Sequence, residues 1–369
     1  AAILFSSGSP VFASERHDVS PGPIELTLVD DRAIAYATFH SHNQKVVSNW
    51  HGLFITYIRK SNAKYTAQQW RVARSTDGGR SFATVLEQTH ATSAPALETD
   101  KRGSLFFVRP DFQDGNAYLS RLTSFRDKPS VTKLSGGSSG KYCMVLDETR
   151  KQLYYFAHRS LHVVGIDGKV RRKLILLSSG HLAYLQYPHL TLGRDGTLYA
   201  AWTTQKRGKY VYRSIHAIKS TDGGVSWSTL KGKSLKPPIF DDDTGPATQI
   251  SRDDEMDVHT FLSAFMAKDG KLHFVYWSEN AVQRQRYLRY DGATGKKEID
   301  IEPLFQKRTI AKPNDSSVLV ANRMKRNSTL YCVSTIDDRK RLACLASQDN
   351  GKTWREYAVS DRAFKNRVY

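Results

Sequence analysis

The sequence STDGGVSW, at residues 220–227, occurs in three related copies along the chain. The other two are STDGGRSF at 75–82 and SQDNGKTW at 347–354, so the shared pattern is Ser-x-Asp-x-Gly-x-Ser/Thr-aromatic. The Asp-Gly or Asn-Gly pair favours the positive backbone angles of a tight hairpin turn, and the aspartate can accept hydrogen bonds from turn amides. The aromatic residue begins the next strand and covers the turn. We predict a structural role for Ser75, Asp77, Gly79, Ser220, Asp222, Gly224, Ser347, Asp349 and Gly351.

A second repeated phrase, a turn followed by leucine and an aromatic residue or histidine, runs through the chain in phase with the first. Its leucines are Leu53, Leu105, Leu153, Leu198, Leu272 and Leu330. Most consecutive leucines are separated by the length of four short strands with their turns, which is the size of one propeller blade. No sustained 3.6-residue apolar period with helix caps interrupts the pattern.

These repeats predict an all-β fold, a β-propeller of six four-stranded antiparallel blades. Strand-like alternation at residues 24–28 and 33–36 precedes the first repeat. If those strands build a blade of their own, the ring has seven blades, so both counts remain open.

The octapeptide resembles the Asp-box, or BNR, repeat of the β-propellers in the sialidase superfamily. In that family the box joins the two outer strands of a blade. The resemblance implies a structural rather than a catalytic role for the turn positions, and it specifies a fold rather than an activity.

The charge balance is strongly basic. The chain of 369 residues has 55 Lys and Arg against 36 Asp and Glu, a formal net charge of +19. A positive field of this size attracts polyanions. No arginine-rich arm, zinc-finger spacing or RNA-binding signature accompanies it, which argues against nucleic acid. We expect an acidic polysaccharide as partner of a monomeric protein; the alternative is a basic protein without a polyanionic partner.

The N-terminal sequence AAILFSSGSPVFA, residues 1–13, is an apolar run followed by small residues. This pattern is typical of the end of a secretory signal with cleavage after Ala13, and the alternative is a disordered or strand-forming N-terminus. No other apolar run approaches the length of a membrane span. We therefore predict a residual signal peptide at 1–13, a single propeller domain at 14–369, and a secreted or periplasmic location without a membrane partner.

Three cysteines are present. Cys332 and Cys344 lie symmetrically about Asp338 in a predicted hairpin, so they are candidates for a cross-strand disulfide. Cys143 then remains as a small buried hydrophobic residue. No thiolate spacing typical of a metal site occurs, and we assign no metal ligands.

A long polar segment, residues 231–256, separates the fourth and fifth repeats, and insertions of this length usually carry function or are mobile. Its acidic runs at 241–243 and 253–255 offer oxygen ligands for a structural calcium ion. The alternative is solvated loop charge. No other cofactor is expected.

The innermost strand of each blade lines the central channel, and the side chains at its start converge on one rim. These positions are rich in His, Tyr and Arg, which can neutralise a uronate carboxylate and move a proton beside it. The alternative for each is an ordinary packing role. Catalytic candidates are His90, Arg109, Tyr142, His158, Tyr187 and His189; substrate-binding candidates are His42, Asn43, His51, Asp257 and His259.

Phrases such as YPHL at 187–190 and DVHT at 257–260 resemble those of BNR-repeat propeller lyases that act on ulvan. Those enzymes use two histidines, a tyrosine and an arginine around the uronate. The resemblance implies that His90 matches the first histidine, while Arg109 stands where the second is expected. It also aligns Tyr142 with the tyrosine and His158 with the arginine, which is a departure from the pattern.

The resulting hypothesis is a secreted polysaccharide lyase that cleaves an acidic, uronate-containing polysaccharide, sulfated or unsulfated, by β-elimination. Two alternatives stay open: a sialidase-like exo-glycosidase, and a non-catalytic propeller that binds glycan or protein. True sialidases carry an early Arg-Ile-Pro phrase. The nearest phrase here, VRPD at 108–111, follows the first octapeptide, which disfavours that alternative.

Overall fold

The computed structural model describes residues 2–5, 24–34, 36–38, 43–61, 68–89, 93–125, 127–157, 159–178, 183–240, 247–255, 258–305, 317–322, 325–337, 340–361 and 363. Twenty-nine β-strands and two short 3-10 helices, Asp253–Glu255 and Val282–Arg284, account for the regular structure of these residues. The described part of the chain contains no α-helix and no helix long and apolar enough to cross a bilayer.

Five four-stranded antiparallel sheets and one five-stranded sheet, which adds a short strand to the same four-stranded pattern, form the six blades of a β-propeller. Strands β1 (Ala2–Phe5) and β2 (Glu25–Leu28) form a separate two-stranded antiparallel sheet, and β15 (Leu177–Ser178) pairs in parallel with β21 (Ile239–Phe240). Blade 4 carries a fifth strand, β20 (Ser234–Leu235).

Within each blade, neighbouring strands follow the order of the chain. The strands are, for blade 1, β3 (Val46–Asn49), β4 (Gly52–Lys60), β5 (Gln68–Ser75) and β6 (Ala83–Thr89); for blade 2, β7 (Ala96–Thr99), β8 (Leu105–Asp111), β9 (Asn116–Leu122) and β10 (Ser130–Leu134); for blade 3, β11 (Tyr142–Asp147), β12 (Gln152–Ala157), β13 (Ser160–Gly165) and β14 (Val170–Ile175); for blade 4, β16 (Ala183–Leu192), β17 (Leu198–Lys206), β18 (Tyr212–Ser220) and β19 (Trp227–Thr229); for blade 5, β22 (Thr260–Lys268), β23 (Lys271–Ser278), β24 (Gln285–Asp291) and β25 (Lys297–Ile301); and for blade 6, β26 (Val318–Ala321), β27 (Leu330–Ile336), β28 (Arg341–Ser347) and β29 (Arg355–Val359).

The first strands of consecutive blades pack side by side around the centre of the ring. Because the strands of a blade alternate in direction, every first strand begins on one face, which we call the upper face. The hairpin to the second strand lies on the opposite, lower face. Connections between second and third strands therefore return to the upper face, and the three octapeptide turns, which follow third strands, lie on the lower face.

Burial follows this layering. The second strand of blade 4, β17, is buried along most of its length, since a neighbouring blade covers each side of it. The outermost strand of blade 3, β14, is mostly exposed or half-buried. Between blades 3 and 4, Trp202 and Trp227 pack with Tyr154 and Phe156 in one apolar cluster. The apolar core thus lies between blades, which explains the near-continuous apolar runs of the inner strands.

The N-terminal segment packs on blade 1 and does not build a seventh blade. The backbone N–H of Ile58 donates to Ala37 O at 2.9 Å. The buried Asp30 carboxylate lies 2.9 Å from Arg59 Nε and accepts the Tyr57 hydroxyl at 3.0 Å. The blade count is therefore six.

The octapeptide turn at 220–227 is organised by one serine and one aspartate. Ser220 Oγ accepts the Gly224 N–H at 2.8 Å and donates to Asp222 Oδ1 at 2.8 Å. Asp222 also accepts the N–H groups of Val225 and Ser226 at 3.0 and 2.9 Å and the Ser226 hydroxyl at 2.6 Å. The turns at 75–82 and 347–354 repeat each of these bonds. One sequence pattern thus gives one hydrogen-bond pattern three times.

Replacing Asp222 with alanine should lower the free energy of unfolding at neutral pH by about 1 kcal/mol, a small figure because the turn is largely solvated. Burial alone would raise the pKa of Asp222, but its hydrogen bonds to Ser226 and Ser220 outweigh burial and lower this pKa to about 2. The carboxylate therefore stabilises the fold above the unfolded pKa of about 3.9, and this contribution is lost as the pH falls toward 2.

Urea unfolding at pH 7 and at pH 3 checks this prediction. The loss of unfolding free energy caused by Asp222→Ala should be smaller at pH 3 than at pH 7. Substitution of its exposed neighbour, Val225→Ala, should change the free energy of unfolding by the same amount at both pH values. An Asp222→Ala deficit that is the same at both pH values would contradict it.

The predicted disulfide is wrong. Both Cys332 and Cys344 are free thiols. The register of β27 and β28 pairs Cys332 with Leu345 and Cys344 with Val333, so the two cysteines occupy successive register positions and point to opposite faces of the sheet. Cys143 is buried, as expected for a small hydrophobic residue.

Candidate functional site

A chain of three tyrosine hydroxyls lies on the upper face of blade 4, beside blades 3 and 5. Tyr187 Oη is 2.9 Å from Tyr212 Oη, which is 3.1 Å from Tyr210 Oη. Tyr210 is 72% exposed, whereas Tyr187 and Tyr212 are each 6% exposed. We call these three residues the tyrosine cluster. Its hydroxyls form a continuous path from solvent to a buried ring.

Local backbone structure holds Tyr187 in place. The pairing of β16 with β17 is interrupted between Gln186 and His189, and Tyr187 has φ 46°. Positive φ is uncommon for a bulky residue, and such conformations persist where the surroundings fix them, often at functional sites. Phe261, at the start of β22, packs edge-on against the Tyr187 ring with centroids 4.5 Å apart. Blade 5 thus fixes the ring from one side.

The central hydroxyl, that of Tyr212, keeps its proton. Burial raises the pKa of Tyr212 far above the usual value for tyrosine, and its hydrogen bonds to Tyr187 and Tyr210 raise it further. A neutral phenol donates one hydrogen bond and accepts another. The cluster is therefore suited to passing a proton along its hydroxyls rather than to holding a phenolate.

A lysine and a histidine flank the cluster. Lys141 Nζ, from the residue before β11, lies 3.6 Å from the centroid of the Tyr187 ring. His259, just before β22, accepts the Tyr212 backbone N–H at its Nδ1, at 3.3 Å. Since Nδ1 accepts, the hydrogen-bond pattern assigns the proton of neutral His259 to Nε2. The flank thus offers an ammonium group and an imidazole N–H.

This combination is suited to an anionic ligand. An ammonium group and N–H or O–H donors stabilise negative charge on a carboxylate or an enolate, and the hydroxyl chain can exchange a proton with solvent. Beside the cluster, the Glu279 carboxylate accepts the His259 backbone N–H at 3.4 Å.

Of the residues singled out from the sequence, Tyr187 and His259 meet at this site, whereas Tyr142 and His189 do not reach solvent. The Tyr142 side chain is fully buried, and its hydroxyl donates to Ala94 O at 2.5 Å. His189 is buried with Nε2 3.4 Å from Leu262 O, and burial lowers its pKa to about 3. Both side chains are buried, and their catalytic roles stay predictions.

Arg109 and Asn43 are on the upper half of the ring but in other blades. Arg109 lies 3.3 Å from Asp111 and stacks over the Tyr118 ring of blade 2. Asn43, which is buried, donates its side-chain N–H to Tyr142 O at 3.1 Å. Neither contact involves the tyrosine cluster.

His51 lies at the opposite end of the propeller. It belongs to the hairpin between β3 and β4, on the lower face, and its ring is 3.5 Å from that of Trp50. The expectation that it joins the upper rim is therefore wrong, because His51 follows the end of the innermost strand of blade 1, at Asn49, rather than preceding its start.

Four further candidates, His42, His90, His158 and Asp257, lie outside the described residues, as do the acidic residues 241–243. Their roles stay predictions. In the described part of the chain, no group of three or more His, Cys, Asp or Glu side chains could hold a metal ion. Within the other acidic run, Glu255 bonds to Arg286 and Tyr276, and the structural calcium ion stays a prediction.

Sequence reasoning missed Lys141, Tyr210 and Tyr212. The signal was present in KYVY at 209–212, where two tyrosines alternate at the start of a third strand. The sequence-based candidates come from the starts of first strands and the ends of second strands, but a third strand also begins on the upper face. Including third-strand starts would have found two of the three.

The fold and this site define a six-bladed β-propeller with a tyrosine-lined site on its upper face. No family model matches the chain, and no curated protein matches it either. Membership of the Asp-box repeat family stays a prediction.

Solved structures with the same fold include carbohydrate-active enzymes. A PL25 ulvan lyase bound to -[GlcA(1-4)Rha3S]- superimposes with a TM-score of 0.64 at 10% identity, over 91% of this chain and 87% of that one. The polysaccharide lyase Uly1 gives 0.52 at 11%, over 88% and 83%. A GH74 xyloglucanase from Xanthomonas campestris gives 0.53 at 12%, over 95% of this chain and 52% of that one. At such identities the likeness is one of fold alone.

Proposed function

We propose that this protein is a carbohydrate-active propeller that cleaves an acidic, uronate-containing polysaccharide by β-elimination at the tyrosine cluster. The observation that carries the proposal is the hydroxyl chain of Tyr187, Tyr212 and Tyr210, flanked by Lys141 and the Nε2–H of His259. The net charge of +19 and the ulvan lyases among the structures of the same fold support the substrate class.

The proposed reaction needs no change in oxidation state and no added reactant. The uronate loses the proton of C5, the electrons of that C–H bond form a double bond between C4 and C5, and the bond from C4 to the leaving oxygen breaks. One tyrosine hydroxyl accepts the C5 proton as it gives its own proton to the next hydroxyl, and the last hydroxyl of the relay gives a proton to the leaving oxygen, so the cluster ends with the protons it began with. Lys141 and His259 stabilise the negative charge that grows on the carboxylate as C5 loses its proton.

A glycosidase is the less favoured activity. Hydrolysis of a glycosidic bond by the common mechanisms uses two carboxyl groups on either side of that bond. The carboxylate described beside the tyrosine cluster, that of Glu279, is engaged by the backbone N–H of His259. A binding propeller without catalysis would use the same cationic and aromatic surface, and it differs from the lyase only in turnover.

The test is ultraviolet absorbance during incubation with uronate polysaccharides, sulfated and unsulfated, with and without calcium. Absorbance from the new double bond should rise on at least one of them. Lys141→Met should lower kcat on that substrate by a factor of about 100, the size expected for one lost electrostatic contact to the developing charge.

The exposed Lys128 of blade 2 is the matched control, because Lys128→Met makes the same charge change away from the cluster. Equal turnover by Lys141→Met and wild type would contradict the assignment of Lys141.

Export and a monomeric state are further predictions of this proposal. Cell fractionation checks the export of the protein, and analytical ultracentrifugation checks its monomeric state.

A further inference from the structure

A second surface with recognition chemistry lies on the lower face, away from the tyrosine cluster. Trp50, in the hairpin between β3 and β4, is 71% exposed. The other five tryptophans are buried or half-buried. An indole ring at a hairpin tip leaves a large apolar surface in contact with water, which is unfavourable. Such exposed rings usually stack on a flat apolar surface of a ligand.

The exposed indole is held rigidly. Its ring lies 3.5 Å from the His51 ring, and its other neighbour is Gly103 in the facing hairpin of blade 2. A Cβ atom on Gly103, which has φ +80°, would lie 2.7 Å from the indole nitrogen. Asn49 locks the two hairpins by donating to Thr99 Oγ1 at 2.8 Å and to Gly103 O at 3.2 Å. The indole is therefore presented with little rotational freedom left to lose on binding.

Aromatic and cationic groups extend the surface beside it. The Phe125 ring meets His51 edge-on at 5.0 Å, and the Arg74 guanidinium stacks over Phe125 at 5.0 Å. Arg102, next to Gly103, is exposed. Among the described residues neither Arg74 nor Arg102 pairs with a carboxylate, although Arg74 Nε donates to His51 O at 2.7 Å.

The acidic side chain of these hairpins is already engaged. Asp100 accepts the backbone N–H groups of Arg102 and Ser104 at 3.0 and 2.8 Å. We call the surface formed by Trp50, His51, Phe125, Arg74 and Arg102 the Trp50 ledge. A flat ring beside two guanidinium groups that pair with no carboxylate among the described residues matches a sugar ring that carries a carboxylate or sulfate.

We propose that the Trp50 ledge is a second binding site for an anionic polysaccharide, at which Trp50 stacks on one sugar ring and the two arginines pair with its anionic groups. This site would hold a long chain on the lower face whether or not the tyrosine cluster on the upper face is catalytic. Its occupant is a sugar chain, not a second copy of the protein, because a protein of net charge +19 repels its own copies.

Acrylamide quenching of tryptophan fluorescence reports on the ledge directly, since Trp50 is the exposed tryptophan. The experiment uses the full chain with Tyr212→Phe, so that polymer is not consumed. Polygalacturonate should protect the fluorescence of Trp50 from quenching by acrylamide, whereas neutral dextran should not. Polyphosphate should protect it less than polygalacturonate does, because polyphosphate has no sugar ring. Trp50→Ala should weaken binding of polygalacturonate about tenfold, and Trp50→Phe should retain much of the affinity.

Val225→Ala is the control, because Val225 is 62% exposed on another turn of the same face. The proposal is overturned if Trp50→Ala binds polygalacturonate as tightly as the parent, if saturating polymer leaves quenching unchanged, or if protection depends on protein concentration without polymer. Failure of the lyase proposal would appear separately, as absent absorbance with the wild-type protein while polygalacturonate still protects Trp50 in the Tyr212→Phe variant.

Discussion

Replacement of Tyr212 by phenylalanine is expected to lower turnover of the acidic polysaccharide by a factor of about 100 or more, the range of general acid–base catalysis. The change removes one oxygen, and that oxygen is the sole link of the hydroxyl path from Tyr187 to Tyr210. The aromatic packing against Phe261 stays, with centroids 5.5 Å apart, so the protein should remain folded. Initial rates of absorbance, together with circular dichroism, measure both effects.

The matched control removes a tyrosine oxygen elsewhere. Tyr290 packs against the core between blades 4 and 5 and is remote from the upper rim of blade 4. Tyr290→Phe should therefore leave turnover near the wild-type rate. If Tyr212→Phe keeps wild-type turnover, or if both variants lose it alike, the hydroxyl path is not the route of the proton.

The largest expected loss of stability comes from Arg286. Its buried guanidinium pairs with Glu255 at 3.2 Å, with Asp300 at 2.6 Å and with Glu302. Glu255 is itself fully buried and also accepts the Tyr276 hydroxyl at 2.9 Å. Arg286→Ala would leave a carboxylate buried without its cation, so the free energy of unfolding should fall by about 3–5 kcal/mol.

Urea denaturation checks this value, with Arg171→Ala as the control. Arg171 pairs with Asp167 at 2.7 Å, but both side chains are about half exposed, and such a pair contributes about 1 kcal/mol or less. Equal losses from the two substitutions would contradict the account. Because Glu255 O accepts the Thr260 hydroxyl, next to His259, Arg286→Ala should also lower turnover.

The fold could be predicted because its determinants are local and repeated. Each octapeptide carries its own serine and aspartate, so the turn forms from neighbours in sequence, as Ser220 and Asp222 show. The leucine phrase marks the hairpin that precedes each second strand, and its spacing gives the number of blades. Six copies of this local signal therefore determine the number of blades in the ring.

The site could be predicted only in part, because it depends on register and on contacts between blades. In the hairpin of blade 6, Cys332 pairs with Leu345, so the register is shifted by one residue from the one that would place Cys332 opposite Cys344. The symmetric spacing of the two cysteines in the sequence does not fix that register. Lys141 reaches Tyr187 across a blade boundary, and His259 reaches Tyr212 across another. The spacing of these residues along the sequence does not predict these contacts between blades.

The most direct test of the account compares two products of the same digestion: new reducing ends, and ultraviolet absorbance from the double bond between C4 and C5. We predict one double bond for each new reducing end on a uronate polysaccharide, with both signals lost together in Tyr212→Phe. Reducing ends that appear without absorbance would show hydrolysis instead of elimination, and would contradict the proposal that the tyrosine cluster is the site of a lyase.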